Sequence, residues 1–263
     1  MASQLAGILW PMSSLLQARY ASPAIADAPA RDFSYAFQPI VDTIAKRVYS
    51  YEALIRGRTN ETAARVLSRI PRSRIHQFDE DGRQVAVQMA AQLGIECLLN
   101  LNFLPRSLQA SGSAVRSTLQ SAQRNGLPAE RIVLEVTEGE AIDDHVLFAR
   151  LIGEYRAMGM KLAIDDFGAG YSGLNLLADL QPDILKIDMN LVRNIAGRGP
   201  RQAIARAIIR ACSDLGIVVV AEGVETSDEY HWFENEGVRL FQGYLFARPG
   251  FEILPAVRYP APG

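Results

Sequence analysis

From residue 33 onward the apolar positions of this chain fall into two alternating patterns. Short continuous runs occupy residues 97–101, 132–136, 162–164, 184–187, 217–221 and 238–241. Between them, apolar residues recur every three or four positions, the period of one face of a helix. Val85, Met89 and Leu93 make one such face, Leu147, Leu151, Tyr155 and Met158 another, and Ile204, Ile208, Ala211 and Leu215 a third. These faces stop at Gly94, Gly159 and Gly216; those of Val115, Leu119 and Ala122 and of Trp232 and Phe233 stop likewise at Gly126 and Gly237. A glycine just past the last periodic residue is the expected end of a helix. The strand-like runs are continuous rather than alternating, so both of their faces are covered, as when helices wrap a sheet. The chain opens differently. Apolar-rich runs at 33–41 and 48–55 are joined by only six residues, too few for the crossover of a parallel return, so these two strands pair antiparallel. With about eight strands in all, the expected fold is α/β: a TIM-like (βα)8 barrel with one antiparallel strand near the start. A doubly wound open sheet is the structural alternative.

Residues 1–30 are of another kind. Leu5, Ile8, Leu9 and Trp10 form an apolar patch cut by Pro11, too short to span a bilayer and without the positive flank of a secretory signal. Residues 21–30, rich in Ala and Pro, read as a linker. The expected organisation is a tail and linker over residues 1–30 and one domain over residues 31–258. At 49% hydrophobic, 21% charged and a net charge of -2, the chain has the balance of a soluble globular protein. It lacks the basic excess that marks binding to a nucleic acid polymer or an anionic membrane. Cys97 and Cys212 lie far apart in apolar surroundings, neither a disulfide framework nor a metal-ligand spacing, so a cytoplasmic location and no membrane span are expected.

Polar residues gather where the apolar runs end. Asn100 and Asn102, Glu135 and Glu138, Asp165 and Asp166, Lys186 and Asp188, Glu222 and Glu225, and Gln242 close six successive runs. In a barrel these ends converge on one face, where catalytic groups are found. Asp165 and Asp166 are adjacent and are followed by Gly168, Gly170 and Gly173. Two like charges at a buried strand end are costly without a cation between them. Oxygen donors from Asp, Glu and Asn suit magnesium or manganese; His76, His145 and His231 fall outside the set. The surplus of acids points to two ions, about 4 Å apart and sharing a carboxylate, an arrangement suited to phosphodiester hydrolysis. A magnesium-dependent enolising barrel with Lys186 as base also places acids and lysine at strand ends. It leaves the Asp165-Asp166 pair and its glycine-rich loop unexplained.

Glu52-Ala53-Leu54, Glu135-Val136-Thr137-Glu138, Asp165-Asp166-Phe167-Gly168, Lys186-Ile187-Asp188, Glu222-Gly223-Val224-Glu225 and Gln242-Gly243-Tyr244 resemble, in order, the motifs of EAL-domain cyclic di-GMP phosphodiesterases. The resemblance covers roughly residues 33–250 and implies a barrel with one antiparallel strand. It also implies hydrolysis of cyclic di-GMP to linear pGpG with two Mg2+ or Mn2+ ions, with Ca2+ expected to inhibit, and a homodimer. By motif, Glu52, Asn100, Glu135 and Asp165 would ligate metal directly, with Asp165 bridging, and Asp166 and Asp188 would complete or orient the second site. Glu222 would serve as general base and Lys186 would hold the water and balance the acids, so that Glu222, Lys186 and Glu52 form the catalytic set. Arg56 would contact phosphate, Gln38 and Gln242 would line the substrate site, and Glu138 would brace the loop after Asp166. Departures are few: Gly57 stands where the family often has an aromatic, Asn102 where serine is frequent, and Ala169 where threonine is common. None removes an expected ligand. The alternative is a non-catalytic module that binds cyclic di-GMP or a protein partner, although degenerate relatives usually lose a ligand or the glycine-rich loop and this chain keeps both.

Overall fold

The structure, a computed structural model, describes residues 32–110, 114–138, 145–169 and 173–260. The elements and the site belong to one compact unit, Phe33–Gly263. The expected tail and linker, and residues 170–172 of the glycine-rich loop, lie outside the described residues.

The first two strands, β1 (Phe33–Asp42) and β2 (Arg47–Gly57), form the expected antiparallel hairpin, paired from Phe33 opposite Gly57 to Asp42 opposite Arg47 with a one-residue register shift between Ile40 and Val41. The strands β3 (Leu98–Asn102), β4 (Ile132–Thr137), β5 (Lys161–Phe167), β6 (Ile184–Ile187), β7 (Val218–Ala221) and β8 (Leu240–Phe241) then continue in parallel order. The barrel closes where β8 pairs antiparallel with β1 through Val41–Phe241 and Asp42–Leu240. A strand that the apolar pattern does not announce, β9 (Gly250–Phe251), pairs with Ala36 and Phe37 farther along β1. The one reversed strand is therefore β1, as the short 42–47 connection requires.

Side-chain alternation divides the barrel lumen into two layers. Ile40, Val133, Ala163, Ile184, Val220 and Leu240 form a fully buried apolar layer. Two residues farther along β4 to β8 stand Glu135, Asp165, Lys186, Glu222 and Gln242. Because β1 runs the other way, its polar residue, Gln38, comes two before Ile40. The same step leads from Leu98 to Asn100 on β3. On β1 and on β3 to β8, floor residue and functional group thus stand two positions apart.

The outward-facing residues, among them Leu99, Leu134, Ile164 and Leu185, pack against helical residues such as Ala86, Phe148, Ile208 and Phe233. Burying one such Leu, Ile or Phe contributes about 1.5–3 kcal/mol. Truncating Phe148, fully buried, would cost about 3–5 kcal/mol. Helix Gly199–Leu215 shows how the stops work: Gly216 takes φ 73°, and its N–H reaches the carbonyls of Cys212 and Ser213. Among the described residues no helix is long and apolar enough to cross a membrane.

Candidate metal-dependent active site

The polar layer collects around Lys186. Its ammonium, fully buried, lies 3.2 Å from Glu52 Oε2, 2.9 Å from Glu135 Oε1, 2.9 Å from Asp165 Oδ1 and 2.7 Å from Glu222 Oε1. Amides fill the remaining directions. Gln242 Nε2 donates to Glu52 Oε2 at 2.7 Å, Asn100 Nδ2 to Glu135 Oε1 at 2.7 Å, and Asn102 Nδ2 to Glu52 Oε1 at 3.3 Å. Gln38 accepts from Gln242 Nε2 at 3.4 Å and donates to the Ala247 carbonyl at 3.2 Å. The backbone ladder continues past the strand ends, with Glu138 N–H on Asp165 O, Asp188 N–H on Phe167 O, and Glu222 N–H on Ile187 O. These bonds fix the rim from which the side chains project.

One ammonium cannot neutralise four carboxylates in a buried cage, so protons make up the difference. Burial, reinforced by Glu52 and Asp165, pushes Glu135 up to about 8 against the pull of Lys186. Burial and then Asp165 hold Glu222 well above the ordinary carboxylate range. Asp166 is pushed up to about 6 by burial and by Asp165 and Asp188. Burial alone would discharge Lys186, but Asp165, Glu135, Glu222 and Glu52 outweigh it and hold its pKa well above the ordinary value. Such a set of acids gives up protons when another cation arrives.

The geometry fits a hard divalent cation. Glu52, Glu135 and Asp165 each offer an oxygen within 4.8 Å of the others, and so do Asp165, Asp166 and Glu222. Oxygens bonded to one magnesium ion at about 2.1 Å lie roughly 3–4 Å apart, so each set can close on one ion. Asp165 belongs to both. Buried Asn100 Oδ1 and Glu135 Oε2 have no hydrogen-bond partner, a state that costs free energy and that a cation would relieve.

Local backbone explains how two adjacent acids reach one site. In a regular strand Asp165 and Asp166 would point to opposite faces. The β5–β6 register shifts between Ile164 and Phe167, and Asp166 takes φ 54°, a left-handed conformation that a non-glycine residue adopts at a cost. The resulting bulge brings an Asp166 oxygen beside those of Asp165 and Glu222.

The other expected site residues divide. Asp188 lines the same cavity, yet it belongs to neither close oxygen set, and its Oδ1 caps the helix Met189–Val192 by accepting from Asn190 N–H at 2.9 Å. Glu138 Oε2 accepts from Gly168 N–H at 2.8 Å. Arg56 is not part of the cavity wall; its Nη1 donates to the neighbouring Ile55 carbonyl at 2.8 Å. The cavity holds about 650 Å3 and is lined by the acids together with apolar Ile55, Leu67, Phe78, Leu101 and Phe103. That size suits a small ligand. Two rim residues escape sequence reasoning as site groups. Asn102, placed by the sequence at a strand end but given no role, bonds Glu52, and half-exposed Tyr244 stands in the cavity wall with the Arg248 guanidinium 4.1 Å from its ring centre.

A closed barrel of TIM type with acids at the strand ends around a candidate cation site sets the class of protein to which this chain belongs. The chain belongs to the EAL domain family, whose model matches residues 23–249. Among curated proteins it is 36% identical over 234 residues to the blue light- and temperature-regulated antirepressor BluF of Escherichia coli K12, covering 89% of this chain and 58% of that protein. It is 30% identical over 225 residues to the cyclic di-GMP phosphodiesterase PA2567 of Pseudomonas aeruginosa, covering 82% of this chain and 38% of that one. The chain therefore spans less than two thirds of these relatives' own length. Among solved structures, a standalone versatile EAL protein from Vibrio cholerae O395 in its c-di-GMP-bound form superposes with a TM-score of 0.83 at 45% identity, covering 88% of this chain and 98% of that one. The manganese/cy-diGMP complex of Klebsiella pneumoniae BlrP1 gives 0.81 at 43% identity, covering 86% and 58%.

Proposed function

We propose that this chain hydrolyses cyclic di-GMP to linear pGpG with two Mg2+ or Mn2+ ions. The observation that carries this reading is the pair of oxygen sets sharing Asp165, set around an intact complement of the family's acids. Glu52, Asn100, Glu135 and Asp165 would hold one ion, and Asp165 and Asp166, with Asp188 beside them, the other. When bound, such ions supply an activated water and neutralise charge on the phosphate. Calcium, with longer bonds and looser geometry, would occupy the site without supporting turnover.

The chain's own groups do the rest. Glu222, whose carboxyl holds its proton tightly, is a strong proton acceptor once ionised and takes the proton of the attacking water. Lys186 stays charged, orients that water and keeps the acids from repelling one another. The water oxygen joins phosphorus, the ester bond opposite breaks, and the departing ribose oxygen takes up a proton from solvent, while Glu222 later returns the one it accepted to solvent. Gln38 and Gln242 orient substrate along the β1–β8 side. Arg56, with Nη1 on the Ile55 carbonyl, keeps further guanidinium donors for a phosphate. Glu138 holds the β5 loop through Gly168. A cytoplasmic homodimer belongs to the same reading, the dimer supported by the family resemblance and the compartment by the free cysteines Cys97 and Cys212.

A binding module is the second reading, favoured by the similarity to a relative named as an antirepressor. Incubating the protein with cyclic di-GMP and Mn2+, then separating nucleotides by chromatography, decides. Accumulating pGpG supports the hydrolase; calorimetric binding of unchanged nucleotide supports a nucleotide-binding module; neither binding nor turnover rejects both of these and leaves the module that binds a protein partner.

A further inference from the structure

Glu229 is an acid buried outside the cage, 1% exposed, on helix Ser227–Asn235. Its two oxygens serve two different loops. Oε2 accepts from the backbone N–H groups of Glu225 at 2.9 Å and Thr226 at 3.1 Å, in the loop that leaves β7 and begins with Glu222. Oε1 accepts from Asn194 N–H at 2.9 Å, in the segment that leaves β6 and begins with Asp188. Burial would raise the pKa of this carboxyl, but the donors Asn194, Glu225 and Thr226 prevail and hold it below the ordinary range. A second tie runs alongside, since Arg193 Nη2 pairs with Glu225 Oε1 at 2.9 Å. The loops also touch directly: a Cβ added at Gly223 would overlap the Met189 side chain.

Helix capping accounts for only part of this. Thr226 Oγ1 accepts from Glu229 N–H at 3.2 Å, and Glu229 answers the Thr226 N–H, which completes a capping box. The bond to Asn194 adds nothing to that cap. It holds Asn194 in a left-handed conformation, φ 55°, and joins a loop bearing one cavity-lining acid to a loop bearing another.

We propose that Glu229 is a positioning residue that locks the β6 and β7 loops together, so that Asp188 and Glu222 keep one geometry toward the same phosphate. This rests on the hydrolase reading. A displacement of ~1 Å in a reacting group can cost roughly 100-fold in rate, so a released loop should lower kcat by roughly 10- to 100-fold.

Glu229→Gln separates lock from cap. Glutamine serves a capping box as well as glutamate, but its single acceptor can satisfy only one loop, and its amide N–H would face the donor of the other. The expected result is a fall in kcat with KM for cyclic di-GMP and Tm little changed, whereas Glu229→Ala should lower Tm as well. Wild-type kcat in Glu229→Gln would overturn the lock, and so would joint loss of Tm and rate, which is the mark of a structural residue. Calorimetric titration of the metal-free proteins with Mn2+ keeps the two readings apart. If the wild type does not turn over, the hydrolase reading falls and Mn2+ affinity alone decides: weaker binding in Glu229→Gln supports the lock, and equal binding overturns it.

Discussion

Replacing Lys186 by methionine would take the ammonium out of the carboxylate cage while keeping a chain of similar length and packing. Two effects oppose. Burying an ammonium completely costs several kcal/mol, a penalty the variant escapes. Against that, four carboxylate oxygens lose a partner at 2.7–3.2 Å, and each contact is worth about 5 kcal/mol at an effective dielectric constant of 20. Protonation of the acids absorbs much of the loss, so the net cost is about 3–5 kcal/mol, as for other buried pairs broken on one side. It must depend on pH. Glu135, pushed up to about 8, and Glu222, pushed well above its ordinary range, are protonated at pH 5 and need no counter-charge there. At pH 8 they are closer to ionising and the missing cation is felt. A domain of this size loses roughly 2–4 °C per kcal/mol, so metal-free Lys186→Met should melt roughly 6–20 °C below wild type at pH 8, and by less at pH 5. Thermal melts in chelator at both pH values measure this. Equal melting at pH 8, or a larger loss at pH 5, would refute the view of Lys186 as the charge that holds the cage together.

The unsubstituted protein should show the matching trend. Glu135, Asp166 and Glu222 have folded pKa values above their ordinary ones, so the folded state binds more protons, and metal-free stability should fall as pH rises through about 6 and about 8. Added Mn2+ should oppose that fall increasingly with pH, and a metal-free Tm that climbs over this range contradicts it. Asp166→Gly should leave Tm unchanged or higher, because glycine accepts φ 54° at a saving of about 1 kcal/mol, while turnover is lost; an active variant would remove Asp166 from the metal site. Glu138→Ala, which frees Gly168 N–H, should lower turnover by roughly 100-fold with cyclic di-GMP binding retained, and normal turnover with a small melting shift would reduce Glu138 to a structural acid. Glu222→Gln should abolish hydrolysis in a folded protein, and retained turnover would reject it as the base.

The barrel was legible in the chain because each of its signals is local. Gly216 marks a helix end, the short 42–47 connection forces β1 to run backwards, and a spacing of two sets Glu135 above Val133 and Lys186 above Ile184. The cage followed from the barrel, since strand ends must converge. Other features depend on contacts distant in sequence or on side-chain rotamers. The Thr226-to-Glu229 spacing announces a capping box, but nothing in it announces Asn194, thirty-five positions earlier. Arg56 sits at the end of the right strand and still turns its guanidinium to a backbone carbonyl. The glycines after Asp166 hint at an unusual backbone, whereas the left-handed residue is Asp166 itself, as well as Gly168. Strand β9 is too short to carry a periodic signal, and the partner that defines it lies more than two hundred residues away.

The apolar layer of Ile40, Val133, Ala163, Ile184, Val220 and Leu240 turns the barrel from a tube into a vessel with a single opening. Ions and nucleotide alike must then reach the acids from the strand-end side, so a ligand seated there would slow the exchange of anything held below it.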